Sequence, residues 1–417
     1  DVMMNMGRLN FMQGNAAGAS DWFRRVLDKR PADVPALIAL AQIAESERRY
    51  QDAENLLLKA RRETGNDDIA LALLKFYLQR KSFEKARELA ASMLKKTPGK
   101  PEAVSGLAAA LLGENKVAEA EEMLEDAIRA DNDSVLLHYN LARVKLQAGK
   151  PEDAKRRLEQ ALTLAPDSFV LAEQLVVVES RLGNFGRAMS LIEEMKKRSP
   201  ESSRLLSLEG DVLMQQKNYR HAISAYEAAA TLNPTTGLLV KLYGAASAAG
   251  VPAPEERFRA WLKQHPDDAR IRMLLAEYYQ ATGDSPAAIE QYEKVVEIDP
   301  DNVLALNNLA WLYHSMRNPQ AVGVAEKAHR LRPEKGEIAD TLGWILVEQN
   351  ELDRGIELLR DAASKAPEVL EIKYHLAVGL HKQGETGNAR DMLAELLTDE
   401  RPFSERDAAE KLYRSLQ

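Results

Sequence analysis

With no cysteine in its 417 residues, the chain can form no disulfide, thiolate metal site or cysteine nucleophile. Its 56 basic and 64 acidic residues leave a net charge of −8, and they are interspersed with no long basic run, which argues against nucleic acid as a partner. The longest uncharged stretches, such as Leu242 to Pro254, are shorter than a membrane span and contain glycine and proline, so a soluble chain is expected.

Prolines punctuate the sequence at Pro31, Pro98, Pro166, Pro200, Pro234, Pro266, Pro300, Pro333, Pro367 and Pro402. Neighbours lie 32 to 35 residues apart, or about twice that, and Thr64-Gly65 and Asn132 fill the two missing slots. One unit therefore repeats twelve times. At the start, Gly7 already occupies a small-residue slot, which puts Asp1 inside a first helix and leads us to expect upstream sequence: a signal peptide, a lipid anchor or further repeats. Each repeat reads as helix, turn, helix. Gly14, Gly149, Gly183-Asn184, Gly283-Asp284 and Gly384 end first helices, and the prolines end second helices.

Small residues fall where two helices must approach closely. The first helix offers Gly7, Ala41, Ala108, Ala142, Gly210, Gly244, Ala276, Ala310, Gly343 and Ala377; the second offers Ala53, Ala86, Ala120, Ala154, Ala188, Ala222, Ala288, Ala321 and Ala389. Residues 235–266 depart from the pattern, because Pro254 stands where the second helix should carry alanine and Pro252 is nearby. The helix is expected to start late. Either the adjustment stays local or the array bends there. Past Pro402, Ser404 and Asp407 read as a capping box opening a final helix that carries Ala408, Leu412, Tyr413 and Leu416 on one face. The organisation is thus a repeat array over 1–402 and a capping helix over 403–417.

Catalytic constellations are missing from the sequence. It holds no glycine-rich phosphate loop, HExxH, GxSxG or acidic calcium loop, and His138, His221, His265, His314, His329, His375 and His381 lack metal-ligand spacing. No catalytic residue, metal or cofactor is expected, and the chain reads as a binding protein, not an enzyme.

The stretch LNNLAWLYHSMRNPQAVGVAEKAHRLRP, with Leu309, Ala310, Tyr313, Ala321, Ala328 and Pro333 in the motif slots, resembles the tetratricopeptide repeat, whose period is near 34. The resemblance covers nearly the whole chain. It implies an all-α fold, a right-handed α-solenoid of about twelve hairpins with a C-terminal capping helix, in which the first helices line a concave groove. Most inward-facing positions are then ordinary: Ile38, Gln42, Leu71, Ser105, Ala109, Val177 and Ala245. The last repeats differ. Asn307, Trp311 and His314, then Asp340 and Trp344, then Tyr374 and His381 set aromatic rings beside hydrogen-bonding groups, a candidate partner groove. The competing reading is that Trp311 and Trp344 only fill space, and Trp22 and Trp261, on second helices, are assigned to packing. A groove Trp344 implies that Trp344→Ala barely moves the melting temperature. Tyr139, Arg143, Arg181 and Arg204 form a weaker candidate for an acidic partner. A carboxylate clamp of the chaperone-binding type is disfavoured, because Glu337 and Asp340 would repel a carboxylate beside Asn308.

AlaLeuAsnAsnLeuAlaTrpLeu at 305–312, AspThrLeuGlyTrpIleLeuValGlu at 340–348 and TyrHisLeuAla at 374–377 also look like the bacterial tetratricopeptide lipoproteins called PrsT, of exosortase and PEP-CTERM systems. That resemblance implies a scaffold on the periplasmic side of the bacterial cell envelope, tied to exopolysaccharide export or PEP-CTERM protein sorting. It would hold protein or peptide partners in its groove and meet the membrane only through a lipid anchor. The alternatives are direct polysaccharide binding, with Trp311, Trp344 and Tyr374 stacking on sugars and Asp340 and Asn307 bonding hydroxyls, and a cytoplasmic assembly adaptor.

Overall fold

The computed structural model describes residues 2–417; Asp1, expected inside the first helix, lies outside them. The described residues form 25 α-helices and no strand, α1 to α25 in chain order. Twelve hairpins and one last helix account for all of them. Two compact units divide the chain, Asp1–Glu201 and Ser202–Gln417. Within each, hairpins stack in chain order, an α-solenoid arrangement in which a helix packs on its neighbour and on the next but one.

The punctuation has a specific chemistry. Two residues after a closing proline comes the N-cap of the next helix: Asp33 after Pro31, Ser168 after Pro166, Ser202 after Pro200, Asp268 after Pro266 and Asn302 after Pro300. Each side chain accepts a hydrogen bond from the backbone N–H three residues on, at 3.1–3.4 Å. Such a cap contributes about 1 kcal/mol. Proline stops one helix, and the cap starts the next in a fixed direction.

Between the two helices of every hairpin the chain passes through one left-handed residue. Glycine fills the slot at Gly14, Gly149, Gly183, Gly250, Gly283 and Gly384, as a positive φ favours. The other six hairpins use Arg48, Lys81, Asn115, Lys217, Arg317 and Asn350, with φ of 54–66°. A Cβ in this conformation costs about 1–2 kcal/mol, which exceeds the extra chain entropy glycine loses on folding. Arg48→Gly, Lys81→Gly, Lys217→Gly and Arg317→Gly should therefore each stabilise by about 0.5–1 kcal/mol. Thermal unfolding of the fourfold variant checks this, and an unchanged or lower melting temperature refutes it.

In the first unit the core runs through Phe23, Leu37, Leu73, Phe76, Leu124, Leu141 and Leu158, all buried, over Ala53, Ala86, Ala120 and Ala154. Lys145 is buried too, held between Glu121 and Glu125 at 2.7 and 2.6 Å. In the second unit one cluster links Phe258, Ile271, Leu275, Tyr279, Tyr292, Val295, Leu309 and Tyr313. Burying a side chain of this size contributes about 1.5–3 kcal/mol.

Two expectations are corrected here. Gly244 is not a packing position: it is exposed, and a Cβ there would meet nothing within 4 Å, while Ala245, expected in the groove, is fully buried. The small slot lies seven residues after a first helix begins, and in α15 (Thr236–Ala249) that residue is Tyr243, which packs on Phe258 with ring centroids 6.1 Å apart. The cause is the N-cap: Thr235 follows Pro234 by one residue where the other first helices are capped two residues after the proline, so the slot comes one residue sooner, while α16 (Glu255–Gln264) begins late behind Pro254 and is only 10 residues long. Nor does Ser404 cap the last helix. α25 (Arg406–Ser415) starts two residues later with Glu405 at its N-cap, and the Ser404 hydroxyl donates to Glu405 at 2.6 Å and to Glu371 at 3.4 Å. Residues 235–266 lie wholly inside the second unit. The final helix contributes Ala409, Leu412, Tyr413 and Leu416 to a cluster with Leu370, Ala377, Leu393 and Leu396.

Candidate protein-interaction groove

First helices in the second unit include α17 (Ala269–Thr282), α19 (Val303–Ser315), α21 (Gly336–Glu348) and α23 (Leu370–Gln383). Residues four and eight places after each start lie one turn apart on one face. The first row is Met273, Asn307, Asp340 and Tyr374; the second is Glu277, Trp311, Trp344 and Val378. Seven places in comes the small slot, Ala276, Ala310, Gly343 and Ala377, which is buried. Helical spacing thus sends the small residues inward and these rows, Asp340 apart, toward the surface.

The expected residues have three different environments. Trp311 is exposed, 36 % accessible, and its ring lies 6.4 Å from that of His314 on the same helix. Burial holds the His314 imidazole below its ordinary pKa, against the pull of Glu348. It is therefore neutral near pH 7. Asn307 is half-buried, and its Oδ1 is a buried acceptor with no hydrogen-bond donor. It lines a cleft of about 900 Å³ together with the apolar Val303, Leu304, Leu331 and Ile338 and the charged Asp301, Arg332, Lys335 and Glu337.

Asp340 is not a free groove acceptor. It is buried, and its Oδ1 lies 2.8 Å from Nδ1 of His375, which is buried as well. Trp344 stacks on that imidazole, with centroids 4.2 Å apart and planes 23° apart, and Tyr374 flanks Trp344 at 6.4 Å. Burial raises the Tyr374 phenol. So Asp340, Trp344 and Tyr374 come together around a histidine that the sequence reading did not place in the groove, and one face of Trp344 is covered. No ring contact among the described residues joins Trp311 to Trp344. His381 stands apart, half-buried, with a buried Nδ1 that has no partner.

The weaker candidates divide between the units. On α9 (Val135–Gln147), Arg143 lies over the Tyr139 ring at 6.0 Å and donates to Asn140 at 3.4 Å. Arg181 is exposed at the end of α11 (Phe169–Arg181). Arg204 is exposed on α13 (Ser203–Gln215), which belongs to the second unit.

Behind the groove, Tyr292 of α18 (Ser285–Ile298) ties successive first helices together. Its hydroxyl donates to Gln280 Oε1 and accepts from Asn308 Nδ2, both at 3.0 Å, and burial pushes its pKa up to about 12. Asn308, the residue a carboxylate clamp would use, is thereby engaged in structure.

Sequence models of the tetratricopeptide repeat match residues 46–111, 77–144, 111–176, 145–212, 203–236, 277–316 and 341–405, well over half of the chain. Among characterised proteins, TPR repeat-containing protein PA4667 of Pseudomonas aeruginosa is 28 % identical over 130 residues, 29 % of this chain and 22 % of that protein. Cellulose synthase 1 operon protein C of Komagataeibacter xylinus is 26 % identical over 160 residues, 37 % of this chain and 12 % of that protein. The chain therefore spans under a quarter of either relative. Solved structures that resemble it include a tetratricopeptide repeat protein from Parabacteroides merdae, with TM-score 0.45 and 18 % identity over 58 % of this chain and 96 % of that one. The Cut9-Hcn1 hetero-tetramer gives TM-score 0.42 and 12 % identity over 100 % and 96 %. Yeast Tom70 gives 0.35 and 15 % over 94 % and 96 %. With its hairpin period, its small-residue slots and these repeat matches along its length, the chain belongs to the tetratricopeptide repeat family.

Proposed function

We propose that this chain is a non-enzymatic scaffold that holds polypeptide partners on the groove face of α19, α21 and α23. The observation that carries the reading is α19, where an exposed tryptophan and a buried, donorless amide oxygen stand one turn apart beside an apolar cleft. An exposed aromatic face beside an apolar cleft is what the side chains of a bound peptide fill. We place the scaffold at the bacterial cell envelope, in exopolysaccharide export or PEP-CTERM protein sorting; the match to a cellulose synthase operon protein supports that setting. Sugar stacking is the second reading. The covering of one Trp344 face by His375 favours the polypeptide.

A photo-reactive amino acid placed at 311 in living cells should form adducts with defined polypeptides, whereas the same group at exposed Glu357, on a second helix, should form none. Adducts that contain glycan only would favour the sugar reading, and no adduct at 311 would remove the groove. A leader ending in a lipobox cysteine, sought in the gene upstream, tests the envelope location; a gene that begins at this chain without one supports the cytoplasmic adaptor.

The two tryptophans should also separate in stability. Trp311→Ala should change the melting temperature little, and Trp344→Ala should cost about 1–2 kcal/mol, because it uncovers the Asp340–His375 pair and loses an aromatic stack. Equal losses in thermal unfolding would contradict this assignment.

A further inference from the structure

The hairpin of α15 and α16 is built unlike the others. In every other hairpin the two helices run in close backbone contact, and these two do not. Tyr243 stands with its ring against Phe258 at the offset where α13, α17 and α19 carry the buried Gly210, Ala276 and Ala310. An opening lies on each side of α16: one of about 280 Å³ toward α14 (Tyr219–Leu232), lined by Leu239, Ala260 and Trp261, and one of about 360 Å³ toward α18.

The second opening gathers charge over an apolar floor. Leu262 and Leu275, both buried, line it with Ala287. Gln291, a polar side chain that is also buried, accepts from Nη1 of Arg272 at 2.8 Å, and Arg272 donates through Nε to the Pro266 carbonyl oxygen at 2.8 Å. The Arg272 guanidinium is thus held from two sides by neutral acceptors, which orient it and leave its charge unneutralised. Arg259 is oriented too. Its Nε lies 2.8 Å from Glu255, which offsets part of its charge, and 3.0 Å from the Tyr279 hydroxyl, while its terminal amino groups bond nothing among the described residues. Lys263, one turn further along α16, is in no ion pair among the described residues. Three cations therefore line one opening, in a chain of net charge −8, against a single lining carboxylate, Glu290. Arg272, Leu275 and Tyr279, spaced three and four residues apart, share one face of α17, and Met273 and Glu277 of the groove rows lie on another.

We propose that this opening between α16 and α18 is a docking pocket for an acidic segment of a partner polypeptide. The carboxylate of an aspartate or glutamate side chain meets Arg259, Lys263 and Arg272, and its methylene stem lies on the apolar floor. Guanidinium groups with unused N–H donors match the planar carboxylate. A free inorganic anion would satisfy the cations but leave the leucines in water. Because the pocket is turned away from the aromatic rows, it is a second surface and does not depend on the groove.

The test uses a displayed library of short random peptides, selected on the whole chain and counter-selected on the Arg259→Gln/Lys263→Gln variant. Peptides recovered should share an aspartate or glutamate. Lys263→Gln, which breaks no bond in the free protein, should weaken them by about threefold and the double variant by about tenfold, the range for one and two solvent-exposed ion pairs. Glu290→Gln removes the one opposing carboxylate and should strengthen them by about twofold. Lys411→Gln on the final helix and Glu357→Gln on α22 (Leu352–Lys365), exposed positions outside the pocket, should change nothing. Trp311→Ala/Trp344→Ala should also leave affinity intact, and a loss there would assign the peptides to the groove and overturn the pocket. Changes at Lys411 or Glu357 equal to those at Lys263 and Glu290 would mean general electrostatic attraction, and the pocket falls. It falls as well if the pocket-dependent peptides show no acidic preference, or if the library yields none. Pocket-dependent binding of inorganic phosphate with no such peptide would make the occupant a small anion and refute the polypeptide.

Discussion

Tyr292→Ala is expected to destabilise the second unit by about 3–5 kcal/mol, the range for emptying a buried aromatic site. Tyr292 is fully buried in the cluster with Phe258, Leu275, Val295 and Leu309. Its hydroxyl is the second part of the argument. Because it donates to Gln280 and accepts from Asn308, Tyr292→Phe keeps the ring but strands the half-buried Asn308 donor on α19, while exposed Gln280 on α17 turns to water. That variant should lose about 1–2 kcal/mol. Arrays of this kind need not unfold in one step, so a single melting curve is a poor ledger. Hydrogen exchange read helix by helix is the better measurement: protection should fall in α17, α18 and α19 and stay unchanged in the first unit. A loss below about 1 kcal/mol for the alanine variant, far under the cavity range, would show that the site relaxes and that the hydroxyl bridge is incidental.

Gly343→Leu should also be severe, for the opposite reason. Gly343 faces Gly355 of α22 (Leu352–Lys365), and a Cβ built on it would lie 2.9 Å from Leu359 Cγ, 3.0 Å from the Gly355 carbonyl oxygen and 3.2 Å from Leu358 Cβ. One of those contacts is with backbone, which cannot rotate away. The converse holds at Gly355, where a Cβ would be 2.9 Å from the Gly343 oxygen, so α21 and α22 are pressed together from both sides. Overpacking typically costs about 1–3 kcal/mol, and a side chain against backbone belongs at the upper end. Gly343→Ala should already be measurable. Gly244→Ala is the control, expected to be neutral or slightly stabilising, since its Cβ meets nothing and the position is helical. Thermal unfolding of the three variants checks the order, and a Gly343→Leu protein as stable as the parent would refute the close approach.

The hairpins could be read from the sequence because two local rules enforce them. Proline cannot continue a helix, and the alanines from Ala53 to Ala389 mark where helices meet, so both boundaries and inner faces follow from residue type alone. The left-handed turns were half legible. Glycine announces the conformation, whereas Lys81, Lys217 and Arg317 adopt it against their own preference because the helices on either side fix the turn. Gly244 was misplaced because counting forward from Pro234 assumes a cap two residues after the proline, and Thr235 caps α15 one residue sooner. In the groove, periodicity gives a face but not partners. Asp340 and Trp344 lie where the spacing puts them, yet His375, five residues after α23 begins, occupies one and covers the other.

Every substantial helix contact in either unit joins a helix to its neighbour or to the next but one. Among the described residues no substantial helix contact waits for a distant part of the chain. During synthesis, then, each hairpin has its docking surface ready as soon as it emerges, and the loop-closure entropy that slows long-range pairing is never large. Growth from the ribosome can proceed one hairpin at a time, with only the most recent one exposing apolar surface. An aggregation-prone intermediate would have to arise where stacking is delayed. The stretch from Gly250 to Pro254 is such a place, because α16 begins late behind Pro254 and, at 10 residues, offers the next hairpin a shorter surface to dock on.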